Sequence, residues 1–386
     1  LIVPHFKAFI SDQATLIRLY FNNMTVLMPI PYFSSLALKL PYIKRYFRFL
    51  KLAVESRNEL AQDYAMVPSK FFTLPIEALR KRNCYLATRS CIKALSKNAI
   101  DFSLIHAHFL ENGFVGATLK SLSGKPLVVT AHGGDVYDLP FRDNWYEILA
   151  RYVLSEADQV ITVSQFNAEK LLSLGVSSNK LHVIPNGYNE RLFKPVRLCE
   201  AREKLGLPPS KKMLLSVGNL VDAKGHTHLV DAMRIVLKKR DDVILVIVGS
   251  GSLKERLQKN TRKPGLKGKI LFVGAKKHDE IPIWMNASDL FVLPSLSEGF
   301  PTVIPEAMAC GKPVIGTRVG GVPEAITSDD VGVLVNPKDP EALAQAILEA
   351  LDRKWMPQII SNYAKQYSWT NLTKQILSVY RKVLLN

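Results

Sequence analysis

Glu298 and Glu306 stand eight positions apart in the stretch SEGFPTVIPEAMACGKPVI. Two carboxylates this close can flank a scissile glycosidic bond as acid and base, or accept hydrogen bonds from the hydroxyls of a bound diol. The surrounding residues bear on the choice. SDLFVLPS, just ahead, is an apolar strand pattern closed by Pro294, and the run after Pro305, EAMACG, reads as a helix ended by Gly311. The carboxylates then bracket a loop and a helix start, where unbonded N–H groups and the positive end of the helix dipole suit phosphate or sugar oxygens. Taken singly, both glutamates would be ordinary solvated side chains. The flanking pattern is what points to a ligand.

Two further places carry residues of this kind. The strand pattern MLLSVG ends in Gly218 and is followed by Asn219, Leu220, Val221, Asp222, Ala223, Lys224 and Gly225, then by the helical pattern HTHLVDAMRIVLKK. A lysine beside a glycine at a strand-to-helix turn can set an ammonium against phosphate oxygens while the backbone approaches closely. The Walker pattern is absent, and alone this motif equally describes a solvated loop. In the first half, PLVVTAHGGDV places His132, Gly133, Gly134 and Asp135 after a buried strand, a position suited to polar contact with a sugar hydroxyl or sugar phosphate. His106, inside HAHF, reads as a packed strand residue.

These residues need strands to end where they stand. Apolar runs alternate with helical patterns along the chain, the signature of parallel sheets covered by helices on both faces. The runs are MTVLMPI, FSLIHAHF, PLVVTAHG, QVITVS and KLHVIPNG in the first half, then MLLSVGN, VILVIVG, KILFVG, LFVLPS, KPVIGTR and GVLVN. At 386 residues with 47% hydrophobic content the chain exceeds one ordinary core. The expected organisation is an N-terminal Rossmann-like domain over 1–190, a polar, Pro-containing linker over 191–210, a C-terminal Rossmann-like domain over 211–365, and a terminal helical stretch over 366–386. In open α/β sheets ligands bind beyond the carboxyl ends of strands, which is where all the candidates fall.

Composition narrows the setting. No apolar run reaches the 18 or so residues of a spanning helix. Leu1 stands where Met is usual, and LIV before Pro4 resembles a strand already under way, which leaves the natural start of the chain open. No signal peptide is legible, and Cys84, Cys91, Cys199 and Cys310 show no metal-ligand or CxxC spacing, so a reducing cytoplasm is the expected compartment. The net charge is +17 and uneven. Between Asp12 and Glu55 there is no acid, while Arg18, Lys39, Lys44, Arg45, Arg48 and Lys51 are interleaved with aromatic residues; a second acid-free basic stretch runs from Ala78 to Ile100. Such stretches fit solvated helix faces, an anionic membrane surface or nucleic acid. No nucleic-acid module accompanies them, so the expected partner is the inner face of a membrane.

VGNLVDAKGH, GSGSLKERL, VGAKKHDEI, VIPNGYNERLFKP and ASDLFVLPSLSEGFPTVIPEAMACGKPVIGTRVGGVPE together closely resemble glycosyltransferase family 4, retaining nucleotide-sugar transferases of GT-B fold. LIHAHFLENGFVGA and AHGGDV look most like its teichuronic-acid and exopolysaccharide branch. The resemblance spans roughly residues 100–370. It implies two Rossmann-like domains facing each other across a cleft, with the last helix crossing back to the first domain. It also implies site roles: Glu306 on the nucleotide ribose; Glu298 and the backbone around Gly299, Phe300 and Pro301 on the donor sugar; N–H groups of Thr302 and Val303 on the diphosphate; Lys224 neutralising the departing diphosphate; His132, with Gly133, facing the donor sugar. His132, Lys224 and Glu298 are thus the catalytic candidates. The family usually has an arginine where this chain has Asn219, so one cation of the phosphate clamp is missing; Lys224 with the helix dipole, or Arg318 in GTRVGG, would have to supply it. PHFKAFISDQ lacks the glycines common in the first loop, which leaves Gln13 a weak candidate.

The implied reaction uses a UDP- or GDP-sugar and a lipid-linked or glycan acceptor. Breaking the bond between anomeric carbon and phosphate builds negative charge on the diphosphate, where preorganised donors stabilise most. Retention by same-face attack needs no protein nucleophile, and double displacement on Glu298 is the less favoured route. The sequence has no Asp-x-Asp motif, so no metal or other cofactor is expected. A nucleotide-sugar 2-epimerase of the same fold, and a nucleotide-sugar-binding scaffold that has lost catalysis, are the alternatives.

Overall fold

The computed structural model describes residues 1, 8–32, 65–72, 80–262 and 265–385. The chain divides into two compact units, Leu1–Pro185 with Leu372–Asn386, and Asn186–Asn371.

Among the described residues of the first unit, the strands pair in two parallel groups. One pairs β1 (Thr25–Tyr32) with β2 (Ala65–Phe72) in register from Thr25↔Ala65 to Tyr32↔Phe72. The other has the order β3-β4-β5-β6, from Ile105–His108, Leu127–Ala131, Gln159–Thr162 and Leu181–Val183. Strand β2 has no counterpart among the expected strands, because AMVPSKFF carries Pro68 and Lys70 inside the run, and proline deprives a ladder of a donor. Among the described residues it pairs with β1.

The second unit is a six-stranded, all-parallel sheet in the order β12-β11-β10-β7-β8-β9. Its strands are β7 (Lys212–Val217), β8 (Val243–Val248), β9 (Ile270–Gly274), β10 (Leu290–Leu293), β11 (Val314–Thr317) and β12 (Gly332–Val335). VILVIV in β8 is buried at every position, as a strand covered on both faces must be. On one face, Leu229, Met233 and Val236 of helix His226–Lys239 and Leu343 and Ile347 of helix Pro340–Asp352 close a core over Leu245, Ile247, Val292 and Ile315. The chain adds β8 and β9 to one side of β7, then returns to lay β10 against its other side. That reversal opens a crevice at the carboxyl ends of β7 and β10.

The stretch 191–210 differs from the expected linker. It lies within the second unit and contains helix Leu198–Leu205, whose buried Arg202 donates to the Ala287 carbonyl at 3.0 Å and pairs with Asp289 at 2.6 Å. Its polar composition hid this anchor. The change of unit comes earlier, between Pro185 and Asn186.

The terminal helix runs from Trp369 to Leu384 and buries Leu372, Ile376, Val379 and Tyr380 at helical spacing, whereas Val383 is half-buried. Helix Arg80–Lys97 carries the second basic stretch. It buries Ala87, Thr88 and Cys91 and exposes Tyr85, Arg89, Lys93 and Lys97, four residues apart and therefore on one stripe. Lys39, Lys44, Arg45, Arg48 and Lys51 lie outside the described residues, and Arg18 donates to the Phe21 carbonyl at 2.7 Å. Among the described residues no helix is long and apolar enough to cross a membrane.

Candidate functional site

In the second unit the loops after β7, β10 and β11 are tied together. Lys224 ends the turn Asp222–Lys224, and Gly225 follows with φ of 63° and begins helix His226–Lys239. A Cβ on Gly225 would stand 1.9 Å from the Pro294 carbonyl oxygen in the loop after β10, so only glycine lets these loops approach. The Leu296 amide donates to the Ala223 carbonyl at 2.7 Å, closing the same junction. Thr317 at the end of β11 donates its hydroxyl to the Ser295 carbonyl at 2.5 Å, and the Gly321 amide donates to the Gly299 carbonyl at 3.0 Å. Gly320, with φ of 49°, lies so close to Glu298 that a Cβ would meet its carbonyl oxygen at 1.8 Å. The SEGF loop is therefore held from both sides.

Glu298 is buried there. Its Oε1 accepts from Lys224 Nζ at 2.6 Å and from the buried Ser295 hydroxyl at 2.6 Å. The two motifs read separately in the sequence thus meet across the switch point, with the ammonium on the carboxylate. Partial burial shields this pair from water: Lys224 is 26% exposed and Glu298 8% by side chain. A carboxylate oxygen neutralised by an ammonium and a hydroxyl is a weak nucleophile, which weighs against double displacement on Glu298.

Glu306, also buried, lies in helix Val303–Ala309, whose first ladder bond joins the Glu306 amide to the Thr302 carbonyl at 3.1 Å. The amides of Thr302 and Val303 precede that ladder. Glu306 Oε1 bonds His278 Nε2 at 2.9 Å, and the His278 ring lies 5.1 Å from that of Phe193. His278 was not among the sequence candidates. It stands in VGAKKHDEI just beyond β9, the kind of position where ligand contacts in such sheets are found, and that was the available signal.

Other candidates are placed differently. The Phe300 side chain is buried 5.5 Å from the Tyr367 ring, so its ring packs in the interior and its backbone is what the loop presents. Gly299 and Pro301 are buried, while Asn219 and Arg318 are exposed; the Arg318 amide donates to the Val335 carbonyl at 2.8 Å.

In the first unit His132 follows β4. The buried Asp135 carboxylate accepts from the amides of Leu110 at 3.2 Å, His132 at 3.2 Å and Gly133 at 2.7 Å, which fixes the backbone of AHGGD. Burial raises the Asp135 carboxyl above its ordinary value, against the pull of these amides. The His132 ring lies 4.6 Å from Phe109, and its Nε2 is 2.9 Å from His108 Nδ1. His106 is a packed strand residue with both nitrogens engaged, by the Tyr380 hydroxyl at 2.5 Å and the Thr130 hydroxyl at 2.7 Å. Burial holds His106 well below the ordinary imidazole value and His108 at about 3, so both are neutral. Gln13 is buried and, with Ile17, Phe21, His106 and Tyr380, lines a cavity of about 430 Å³.

Residues 199–367 match the family model for glycosyl transferases group 1, and residues 50–192 match that for glycosyltransferase family 4. An uncharacterized glycosyltransferase of Methanocaldococcus jannaschii is 33% identical over 294 residues, 72% of this chain and 75% of that relative. A D-inositol 3-phosphate glycosyltransferase of Segniliparus rotundus is 30% identical over 331 residues, 80% of this chain and 74% of that relative. Among solved structures, Anabaena HepE in complex with UDP and glucose superposes with a TM-score of 0.73 at 22% identity, covering 99% of this chain and 98% of that one. With a third of its aligned residues shared over three quarters of the archaeal relative, the chain belongs to the family 4 type of glycosyltransferases, and its two units of parallel sheet are those of the GT-B fold.

Proposed function

We propose that this enzyme transfers a hexose-type sugar from UDP or GDP to a lipid-linked or glycan acceptor, with retention at the anomeric carbon and without a metal ion. The observation that carries the reading is the Lys224–Glu298–Ser295 cluster at the crevice between β7 and β10, with Glu306 on the helix that follows the same loop. The solved structures of HepE with UDP and glucose, and with UDP-glucose, support a nucleotide-sugar donor. In this reading Glu306 receives the ribose diol and Glu298 the sugar hydroxyls. Lys224 and the amides of Thr302 and Val303 receive the diphosphate, and His132 with Gly133 contacts the sugar. The bond between C1 and the phosphate oxygen breaks with its electron pair leaving on the diphosphate. The acceptor oxygen bonds C1 on the same face, and its proton passes to the leaving phosphate oxygen. The cations and amides are already in place when that charge develops, which is where they lower the barrier.

The exposed stripe Tyr85, Arg89, Lys93 and Lys97 supports an acceptor presented at an anionic membrane surface, as a teichuronic-acid or exopolysaccharide assembly step would require. The test is mass spectrometry of products from a panel of UDP- and GDP-sugars, each with and without membrane extract. The expected result is sugar transfer that needs the extract, persists in chelator and is lost in Glu298→Gln with donor binding intact. Conversion of donor without acceptor would establish an epimerase. Donor binding with no turnover across the panel would overturn the catalytic reading.

A further inference from the structure

The Glu306 carboxylate is buried, and among the described residues its hydrogen bond is the one that Oε1 makes with His278 Nε2 at 2.9 Å. A carboxylate oxygen accepts, so the imidazole nitrogen facing it donates and the His278 ring carries a proton on Nε2. Oε2 has no donor among the described residues. A buried acceptor left in that condition is costly unless a bound hydroxyl or water serves it.

The chain behind His278 fixes where its ring stands. The Lys277 amide donates to Glu280 Oε2 at 2.8 Å and the Glu280 amide to the Lys277 carbonyl at 3.0 Å, which closes the turn His278–Glu280 ahead of helix Ile281–Ala287. The Phe193 ring, 5.1 Å from that of His278, is itself buried. Its segment is tied to the same helix, where the buried Asn286 accepts from the Val196 amide at 2.8 Å and donates to the Lys194 carbonyl at 3.0 Å. Turn, ring and helix make one support.

We propose that His278 is a positioning residue for ribose recognition: it holds Glu306 by Oε1 and keeps Oε2 for a hydroxyl of the nucleotide diol. The inference rests on the proposed role of Glu306 at the ribose and deepens it, since the pair then selects nucleotides that carry the diol. A glutamate side chain has three torsions to order, and the bond to His278 orders them before the donor arrives. Without that bond the ribose would have to order the carboxylate itself, and discrimination would fall. His278 is 31% exposed by side chain, so its replacement leaves the packed interior of the unit largely untouched.

Calorimetric binding of UDP and GDP, each against its 2′,3′-dideoxy analogue, tests this in the full chain. The wild type should bind the better of the two nucleotides at least about tenfold more tightly than its dideoxy form, the worth of a hydrogen bond to a charged group. His278→Phe, which keeps a ring against Phe193 but has no N–H, should bring that ratio below about threefold. His278→Gln, whose amide can still donate, should hold it within about twofold of wild type. A wild-type ratio in His278→Phe overturns the inference, as does a ratio in His278→Gln as low as in His278→Phe. An unprotonated His278 Nε2 in long-range ¹H–¹⁵N spectra of the wild type at neutral pH overturns it whether or not the variants fold. If the wild type discriminates and Glu306→Ala does not, the ribose role of Glu306 stands and the His278 variants alone decide the inference. A wild type that binds the dideoxy forms equally well would sink the ribose role and the inference together.

Discussion

Replacing Lys224 by Met removes the ammonium 2.6 Å from a carboxylate that is only 8% exposed. Two unit charges at that separation attract by about 6 kcal/mol at an effective dielectric of about 20, and desolvation of both groups takes back most of it. Lys224→Met should destabilise the second unit by about 3 kcal/mol, the low end for breaking a buried pair, since Lys224 is itself a quarter exposed. Glu298→Gln should cost about 1 kcal/mol, because its amide oxygen can still accept from Ser295 while Lys224 turns to water. The double variant should cost about 2 kcal/mol, less than the two added, giving a coupling of about 2 kcal/mol. Urea unfolding followed by tryptophan fluorescence in a Trp145→Phe background measures this, since Trp284, Trp355 and Trp369 all lie in the second unit. Additivity within about 0.5 kcal/mol would refute the pairing of these two residues and, with it, their assignment to one site.

Three other outcomes follow from particular contacts. Gly320→Ala should destabilise by at least about 2 kcal/mol, because its Cβ has no room beside the Glu298 carbonyl and its φ is positive; a urea midpoint equal to wild type would contradict it. His226 is held at about 4 by burial and then by the Lys224 charge, from an ordinary 6.5. The unfolded chain therefore takes up a proton that the folded chain does not, and stability should fall by up to about 3 kcal/mol as pH drops from 6.5 to 4. The slope should flatten in His226→Gln, and identical slopes would remove His226 as the cause. Reversing Arg89, Lys93 and Lys97 to Glu should abolish flotation with anionic vesicles, at about 1 kcal/mol lost per charge; flotation equal to wild type would show that this stripe is not the contact.

Much of the sheet architecture was legible because parallel strands covered on both faces must be continuous apolar runs, and VILVIV and LFVLPS are. Strand β2 was hidden by Pro68 and Lys70, which interrupt the apolar run by which a buried strand is read. The helix in 191–210 was hidden because its hold on the unit includes a buried arginine, Arg202, whose partner Asp289 is 87 residues away. His278 had only its place beyond β9 as a signal, and its partner Glu306, 28 residues away, is what singles it out.

The sequence by itself determined the chemistry available: which carboxylates, cation and glycines stand at strand ends. Residue identity and short-range periodicity are local, and these are local properties. Only the tertiary structure decided that Lys224 bonds Glu298, that Phe300 turns into the interior and that His108 meets His132. Each joins residues that the order of strands in a sheet, and nothing in their sequence separation, brings within bonding distance.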